Sequence, residues 1–188
     1  MKLSRIIFGL FVVAALAQLA APSSLLWRYE QTLRTGRAYK FRTAPVDPYD
    51  AFRGRFVALA FENTQAPARG GEHLKLRERA YVGIAEGADG FAQFTELSAE
   101  PPTEGDYLHV EPTWRNPTNT HFTVSFNRYY MEETKAPKAE RAYRERNWRS
   151  NTNRNTYALV RVRGGVGVIE DLYIDGKPVS QYLQAAKP

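Results

Sequence analysis

Pro45-Val46-Asp47-Pro48-Tyr49-Asp50-Ala51-Phe52-Arg53-Gly54-Arg55-Phe56-Val57-Ala58-Leu59-Ala60-Phe61 is a turn-rich run that passes directly into an apolar strand. Pro45 and Pro48 stiffen the backbone and push the residues before them toward extended geometry. Asp47 and Asp50 are turn formers, because a short carboxylate accepts from backbone amides close by. Gly54 suits a bulge or a close backbone approach at the strand entrance. From there Phe56, Ala58 and Ala60 take one face and Val57, Leu59 and Phe61 the other, with no charge on either. A strand apolar on both faces is expected to be buried on both faces, and so to belong to the core.

The turn-to-strand device recurs at Gly105-Asp106-Tyr107, which leads into Leu108-His109-Val110-Glu111-Pro112. A Pro-x-Asp-Pro-x-Asp turn and an Arg-Gly pair entering such a strand resembles the GDYXXLXY proteins of bacteria. The name-giving stretch here reads Gly54-Arg55-Phe56-Val57-Ala58-Leu59-Ala60-Phe61. Gly54 and Leu59 match, while Arg55 replaces the aspartate and Phe56 and Phe61 replace the two tyrosines. The resemblance runs from the N-terminal apolar segment through Asn127-Arg128-Tyr129-Tyr130-Met131-Glu132-Glu133 to Asp171-Leu172-Tyr173-Ile174-Asp175-Gly176-Lys177-Pro178. It implies an envelope-facing domain on a membrane anchor, found beside genes for polytopic membrane proteins and without an assigned activity.

The anchor is legible without the resemblance. Ile6 to Ala21 contains no charge, follows Lys2 and Arg5, and continues without one to Trp27. Ile6 to Leu26 spans roughly 31 Å as a helix, about one hydrocarbon thickness. Trp27 and Tyr29 then stand where an interfacial aromatic belt belongs. Ala15-Leu16-Ala17 and Leu19-Ala20-Ala21 keep a cleaved signal peptide open as the rival, which Pro22 disfavours. Lys2 and Arg5 predict a cytoplasmic N-terminus over 1–5, an anchor over 6–26, a helical stalk over 27–36 ended by Gly36, and an extracytoplasmic β-rich domain over 37–188. The expected location is a bacterial inner membrane, single-pass, with the C-terminal domain in the periplasm or outside.

The exported part reads as strands over 39–43, 56–62, 79–85, 90–97, 107–111, 120–126, 156–163 and 166–174. Gly87-Ala88-Asp89-Gly90 and Gly164-Gly165 signal hairpins, and Asp175-Gly176-Lys177-Pro178 a further turn, after which Val179 pairs or packs briefly. Stretches 65–76 and 98–104 read as surface loops. One helix, 136–148, carries Ala139, Ala142, Tyr143 and Arg146 at helical spacing. The predicted fold is mainly β: a small antiparallel barrel or sandwich with one covering helix, preceded by a transmembrane helix.

Composition narrows the chemistry. The chain has no cysteine, which removes disulfides and thiolate metal sites. A mean hydropathy of −0.49 argues against a multi-span protein. Of the net charge of +6, Lys2 and Arg5 supply two, leaving a mild basic excess over the remainder. Arg141, Arg144, Arg146, Arg149, Arg154, Arg161 and Arg163 read first as a solvated face, second as contacts to anionic headgroups, and not as a nucleic-acid site. His73, His109 and His121 lack ligand spacing, so no metal or other cofactor is expected. No Gly-x-Ser-x-Gly occurs, and nothing in the spacing ties Ser23 or Ser24 to Lys40 as a Ser/Lys dyad.

Three functional readings follow, the last of them a lipid-surface sensor whose Arg141 to Arg163 cluster is expected on the membrane-proximal side. The first is a non-enzymatic accessory or binding domain, held by its helix in the lipid bilayer and associating with a polytopic membrane protein. Its contact candidates are the stalk from Trp27 to Arg34 and the exposed aromatics. The second is an envelope hydrolase acting on peptide or glycan, with Asp47, Asp50 and Glu132 as acids. The tentative binding set is Asp47, Asp50, Arg53, Tyr129, Tyr130 and Glu132, where the resemblance matches Tyr129, Tyr130 and Glu132 to an aromatic-aromatic-x-Glu stretch. Against it stands the plain expectation that Tyr130 packs in the core and that Glu132 bonds backbone amides or an arginine such as Arg53 or Arg144.

Overall fold

A computed structural model describes residues 2–44, 56–71, 74–132, 135–146 and 155–185, with side chains from Ile6 onward. The apolar segment and the stalk form one helix, α1 (Lys2–Thr35), which carries Pro22 inside it. Ser23 and Ser24 donate their hydroxyls back to the carbonyls of Leu19 and Ala21, at 2.8 and 2.7 Å, as serines in apolar helices do. Between Ile6 and Glu30 nearly every residue of the helix is exposed, and the helix is long and apolar enough to cross a membrane. Burial begins at Gln31, and Thr32 is buried.

Gly36 ends the helix. Its amide donates to the Thr32 carbonyl at 2.8 Å. A Cβ here would stand 2.4 Å from that carbonyl oxygen and 3.0 Å from the Val162 oxygen, so only glycine fits the corner. The chain turns there into β1 (Arg37–Ala44).

Around β1 the architecture is mainly antiparallel and barrel-like. β2 (Phe56–Ala58), β3 (Ala60–Phe61) and β4 (Gln65–Ala66) follow it in sequence, then β5 (Ala80–Glu86), β6 (Ala92–Ser98), β7 (Asp106–Arg115), β8 (Thr120–Val124) and β9 (Arg128–Tyr130). The helix α2 (Ala136–Arg146) precedes β10 (Thr156–Arg163), β11 (Val166–Ile174), β12 (Lys177–Pro178) and a short helix α3 (Val179–Ala185). One sheet runs β12-β11-β10-β1-β3, a second β4-β8-β7-β5-β6, and β2 pairs with β9 between them. The two larger sheets close on each other where the His109 amide donates to the Gly165 carbonyl at 2.8 Å. Phe41 sits at the centre of the core, its ring 5.9, 5.6 and 5.5 Å from those of Phe61, Phe94 and Phe126.

The stretch 56–66 joins these sheets by changing partner along its length. β2 pairs with β9, β3 with β1, and β4 with β8. This corrects the expectation of burial on both faces. Val57 and Leu59 are buried, but Phe56, Ala58, Ala60 and Phe61 are half-buried, because a strand at a seam between sheets has a full layer on one side only.

The two-residue hairpin predicted at Gly164-Gly165 forms, and the turn predicted over Asp175 to Pro178 proves to be a second one. Gly164 and Gly165 have φ of 54° and 81°, and Asp175 and Gly176 have 51° and 74°, the double positive φ of a type I′ turn. The Gly87–Gly90 signal joins β5 to β6, with the Phe91 amide bonded to Asp89. Stretch 65–76 is more than a surface loop: Ala66 and Leu74 are buried. Ala139 and Tyr143 face inward from α2, and Tyr143 donates to the Ala44 carbonyl at 2.8 Å. Val179 is buried as the first residue of α3, a helix beyond the single covering helix expected.

Tyr39, buried on β1, donates to the Asp106 carboxylate at 2.9 Å and so ties the strand after α1 to the second Gly-Asp-Tyr entrance. Burial first, then the Asp106 hydrogen bond, pushes the Tyr39 phenol up to about 12. The folded state therefore holds this proton more tightly than the unfolded chain. Its contribution to stability is complete below about pH 10 and is lost as the pH rises toward 12. Denaturant unfolding followed across that window is expected to weaken with pH in the native protein and to weaken less in Tyr39→Phe. At the hairpin, Gly165→Ala is expected to cost about 1–3 kcal/mol in the same assay, since a side chain at this φ is strained. Its Cβ would also meet His109 Nε2 at 2.5 Å.

Candidate functional site

A cleft of about 460 Å³ opens where α1 approaches β9 and β11, lined by Tyr29, Arg128, Tyr129, Tyr130, Ile169 and Glu170 among others. Tyr29 is three residues beyond Leu26, the last residue of the apolar segment. At about 1.5 Å per residue the cleft therefore lies one helical turn past the end of that segment.

Register explains how the two tyrosines part. Val57 stands opposite Tyr129, and Phe56 opposite Tyr130. Side chains of paired residues share a face, so Tyr129 turns inward with buried Val57 and Tyr130 turns outward with Phe56. Tyr130 is 65% exposed, which corrects the expectation that it packs in the core. Its ring lies 5.6 Å from that of Phe56, over which the Arg128 guanidinium stands at 5.0 Å.

Tyr129 donates to Asp171 Oδ1 at 2.8 Å, and the Leu172 amide bonds the same oxygen. Burial and the hydrogen-bonded, charged Asp171 raise the Tyr129 phenol well above its ordinary range, so it stays protonated. Glu170 is held by Arg161 through a two-pronged pair at 2.6 and 3.2 Å, and Arg161 also donates to the Gly36 carbonyl at 3.2 Å. The carboxylates bordering the cleft are thus engaged in structural bonds, and the same guanidinium braces the helix corner.

Asp47, Asp50 and Arg53 fall outside the described residues, as do Gly54 and Arg55. Glu132 accepts the Lys135 and Ala136 amides with its carbonyl, at 2.9 and 3.0 Å, and pairs its carboxylate with Lys135. It thereby starts α2. Arg144, offered above as a partner for Glu132, bonds Glu140 instead, one turn away on α2. Of the other cluster arginines, Arg146 pairs with Asp175 at 3.2 Å. Arg149 and Arg154 lie outside the described residues.

Two further clefts flank the second sheet. One, of about 330 Å³, is lined by Arg69, Thr95, Glu96, Gly105 and Asp106 among others. The other, of about 360 Å³, holds His109 beside Arg77, Arg79 and Glu111. Among the described residues the buried His109 Nδ1 has no hydrogen-bond partner, and burial, then the charge of Arg79, lowers the ring's pKa and so favours its neutral form. His121 packs on Trp114 at 4.9 Å, and His73 falls outside the described residues. Among the described residues no group of three His, Asp or Glu is placed to hold a metal ion. Lys40 stands over the Tyr157 ring at 5.8 Å, while Ser23 and Ser24 bond the carbonyls of α1.

Sequence reasoning missed Tyr29 and Arg128 as cleft residues, and Asp106 and Asp171 as tyrosine partners. Asp106 had a signal, since it belongs to the literal Gly-Asp-Tyr. Asp171 had none, because its partner is 42 residues away.

Compared with known proteins, the chain matches the family model described as GDYXXLXY protein over residues 18–172. No curated protein and no solved structure matches it. Tyr129→Phe is expected to lower stability by about 1–2 kcal/mol, the range for a half-buried bond to a charged acceptor. Chemical denaturation checks this, with Tyr130→Phe, whose hydroxyl is exposed, expected to stay within about 0.5 kcal/mol of the native protein.

Proposed function

The chain belongs to the GDYXXLXY family, and on that premise we propose that it is a single-pass membrane accessory protein serving a polytopic membrane protein. Residues 1–5 are cytoplasmic, 6–26 are an uncleaved signal anchor, 27–36 the stalk, and 37–188 a binding domain in the periplasm or outside. The contact with the partner is made by the lipid-facing side of α1 and by the stalk from Trp27 to Arg34. The observation that carries this reading is the corner at Gly36, where the helix enters the β-rich body without a flexible linker. A helix that served only as a tether would need no such corner. Arg161 supports the same reading, because it joins the Gly36 carbonyl to Glu170 on β11. A body held this way presents a fixed face to whatever lies beside α1, and tethering raises its effective concentration there.

The test is photocrosslinking of the full-length protein in its native membrane, with a photoreactive residue at Trp27. The expected result is capture of one polytopic membrane protein, with the adduct weakened when a flexible Gly-Ser insertion separates Thr35 from Gly36. Adducts to lipid alone would overturn the accessory reading. Capture that is indifferent to the insertion would overturn the role given to the rigid corner.

A further inference from the structure

The β2–β9 ribbon has an outward side that the fold leaves uncovered. Tyr130 is 65% exposed, Phe56 is half-buried beside it, and Arg128 stands over the Phe56 ring. Arg128 is exposed, and among the described residues no carboxylate pairs with it. The neighbouring acids are taken: Glu170 by Arg161, and Asp171 by Tyr129 and the Leu172 amide. The surface is thus aromatic and cationic, and these two carboxylates are already engaged within the fold.

Its position adds the second observation. Arg128 and Tyr130 line the same cleft as Tyr29, about 4.5 Å along the helix axis from Leu26. The polar layer of a bilayer extends about 5–8 Å beyond the hydrocarbon on each side. Resting on the reading that α1 spans the bilayer, Tyr29 lies within the headgroup layer, and Arg128 and Tyr130 line the cleft beside it.

We propose that Arg128, Tyr130 and Phe56 form a headgroup-docking surface that seats the β2–β9 ribbon on the leaflet from which α1 emerges, with the Arg128 guanidinium on lipid phosphate. Continuity selects this occupant, since the bilayer surface already reaches Tyr29 and the ribbon begins across the same cleft. Chemistry selects it too. Amphipathic rings are favoured at the interface, and a guanidinium offers the planar fork that suits a phosphate. The ribbon is a second point of attachment, which together with α1 fixes the tilt of the body over the membrane.

The chain has no native cysteine, so single-cysteine spin labels can be placed without background. Full-length Tyr29→Cys and Tyr130→Cys are labelled and reconstituted into phosphatidylcholine vesicles with phosphatidylglycerol. Each label is then read by its accessibility to oxygen and to a water-soluble nickel reagent. Both labels are expected at headgroup depth, and adding Arg128→Glu is expected to move the label at position 130 into water and leave that at position 29 in place. In the native chain, a phospholipid with a photoreactive headgroup is expected to mark the peptide carrying Arg128 to Met131, with loss of the mark in Arg128→Glu. A label at position 130 in water with one at position 29 at depth overturns the docking surface and leaves the anchor intact. Both labels in water overturn the anchor and the docking surface together. A label at position 130 hidden from both reagents means that protein covers the ribbon, and that result overturns the proposal as well.

Discussion

The corner at Gly36 is the constraint on which the rest depends. A helix long and apolar enough to cross a membrane need not be fixed to the body that follows it, and a flexible connection would leave that body free to tumble. Here the Gly36 amide returns to the Thr32 carbonyl, and the absence of a Cβ lets the chain pass within contact of Val162. Thr32 is buried against the sheet, and Arg161 bonds both the corner and Glu170. The orientation of α1 is therefore set by the same sheet that forms the core. The cleft at Tyr29 follows from that geometry, because the helix must cross β10 and β11 before it leaves the body.

The second organising element is the stretch 56–66. Most strands of a barrel serve one pair of neighbours, whereas this one pairs in turn with β9, β1 and β8. Changing partners leaves one face half-covered, and Phe56 lies on it beside Tyr130. The family's name-giving positions are thus divided between two tasks. Leu59 fills the core, while Phe56 stands at the surface in the place of the family's first tyrosine. An aromatic there supplies the outward ring whether or not it carries a hydroxyl.

Much of the fold was legible because it rests on local signals. Glycine pairs at Gly164-Gly165 and the Asp175-Gly176 turn require positive φ, and alternation over 156–163 and 166–174 records a sheet with one buried side. Gly36 after the helical run could likewise be read as a helix stop. What stayed hidden depends on contacts distant in sequence. Apolarity on both faces of 56–61 could not reveal that the strand changes partners. Val179 gave no sign of opening a helix, because its burial is decided by packing against the sheet and not by the seven residues of α3. In the cleft, Tyr129 and Tyr130 were visible as an aromatic pair, but which one faces inward depends on pairing with Val57 and Phe56. Tyr29 joins them only through the approach of α1.

The central claim is that α1 and the β-rich body form one rigid unit. Pulsed dipolar spectroscopy tests it most directly, on full-length protein in lipid with labels on Arg28→Cys in α1 and Lys177→Cys on β12, both at exposed positions. A single narrow distance distribution, broadened when Gly-Ser residues are inserted between Thr35 and Gly36, is the predicted result. A distribution already broad in the uninterrupted chain would contradict the account, because it would mean that the corner at Gly36 is a hinge.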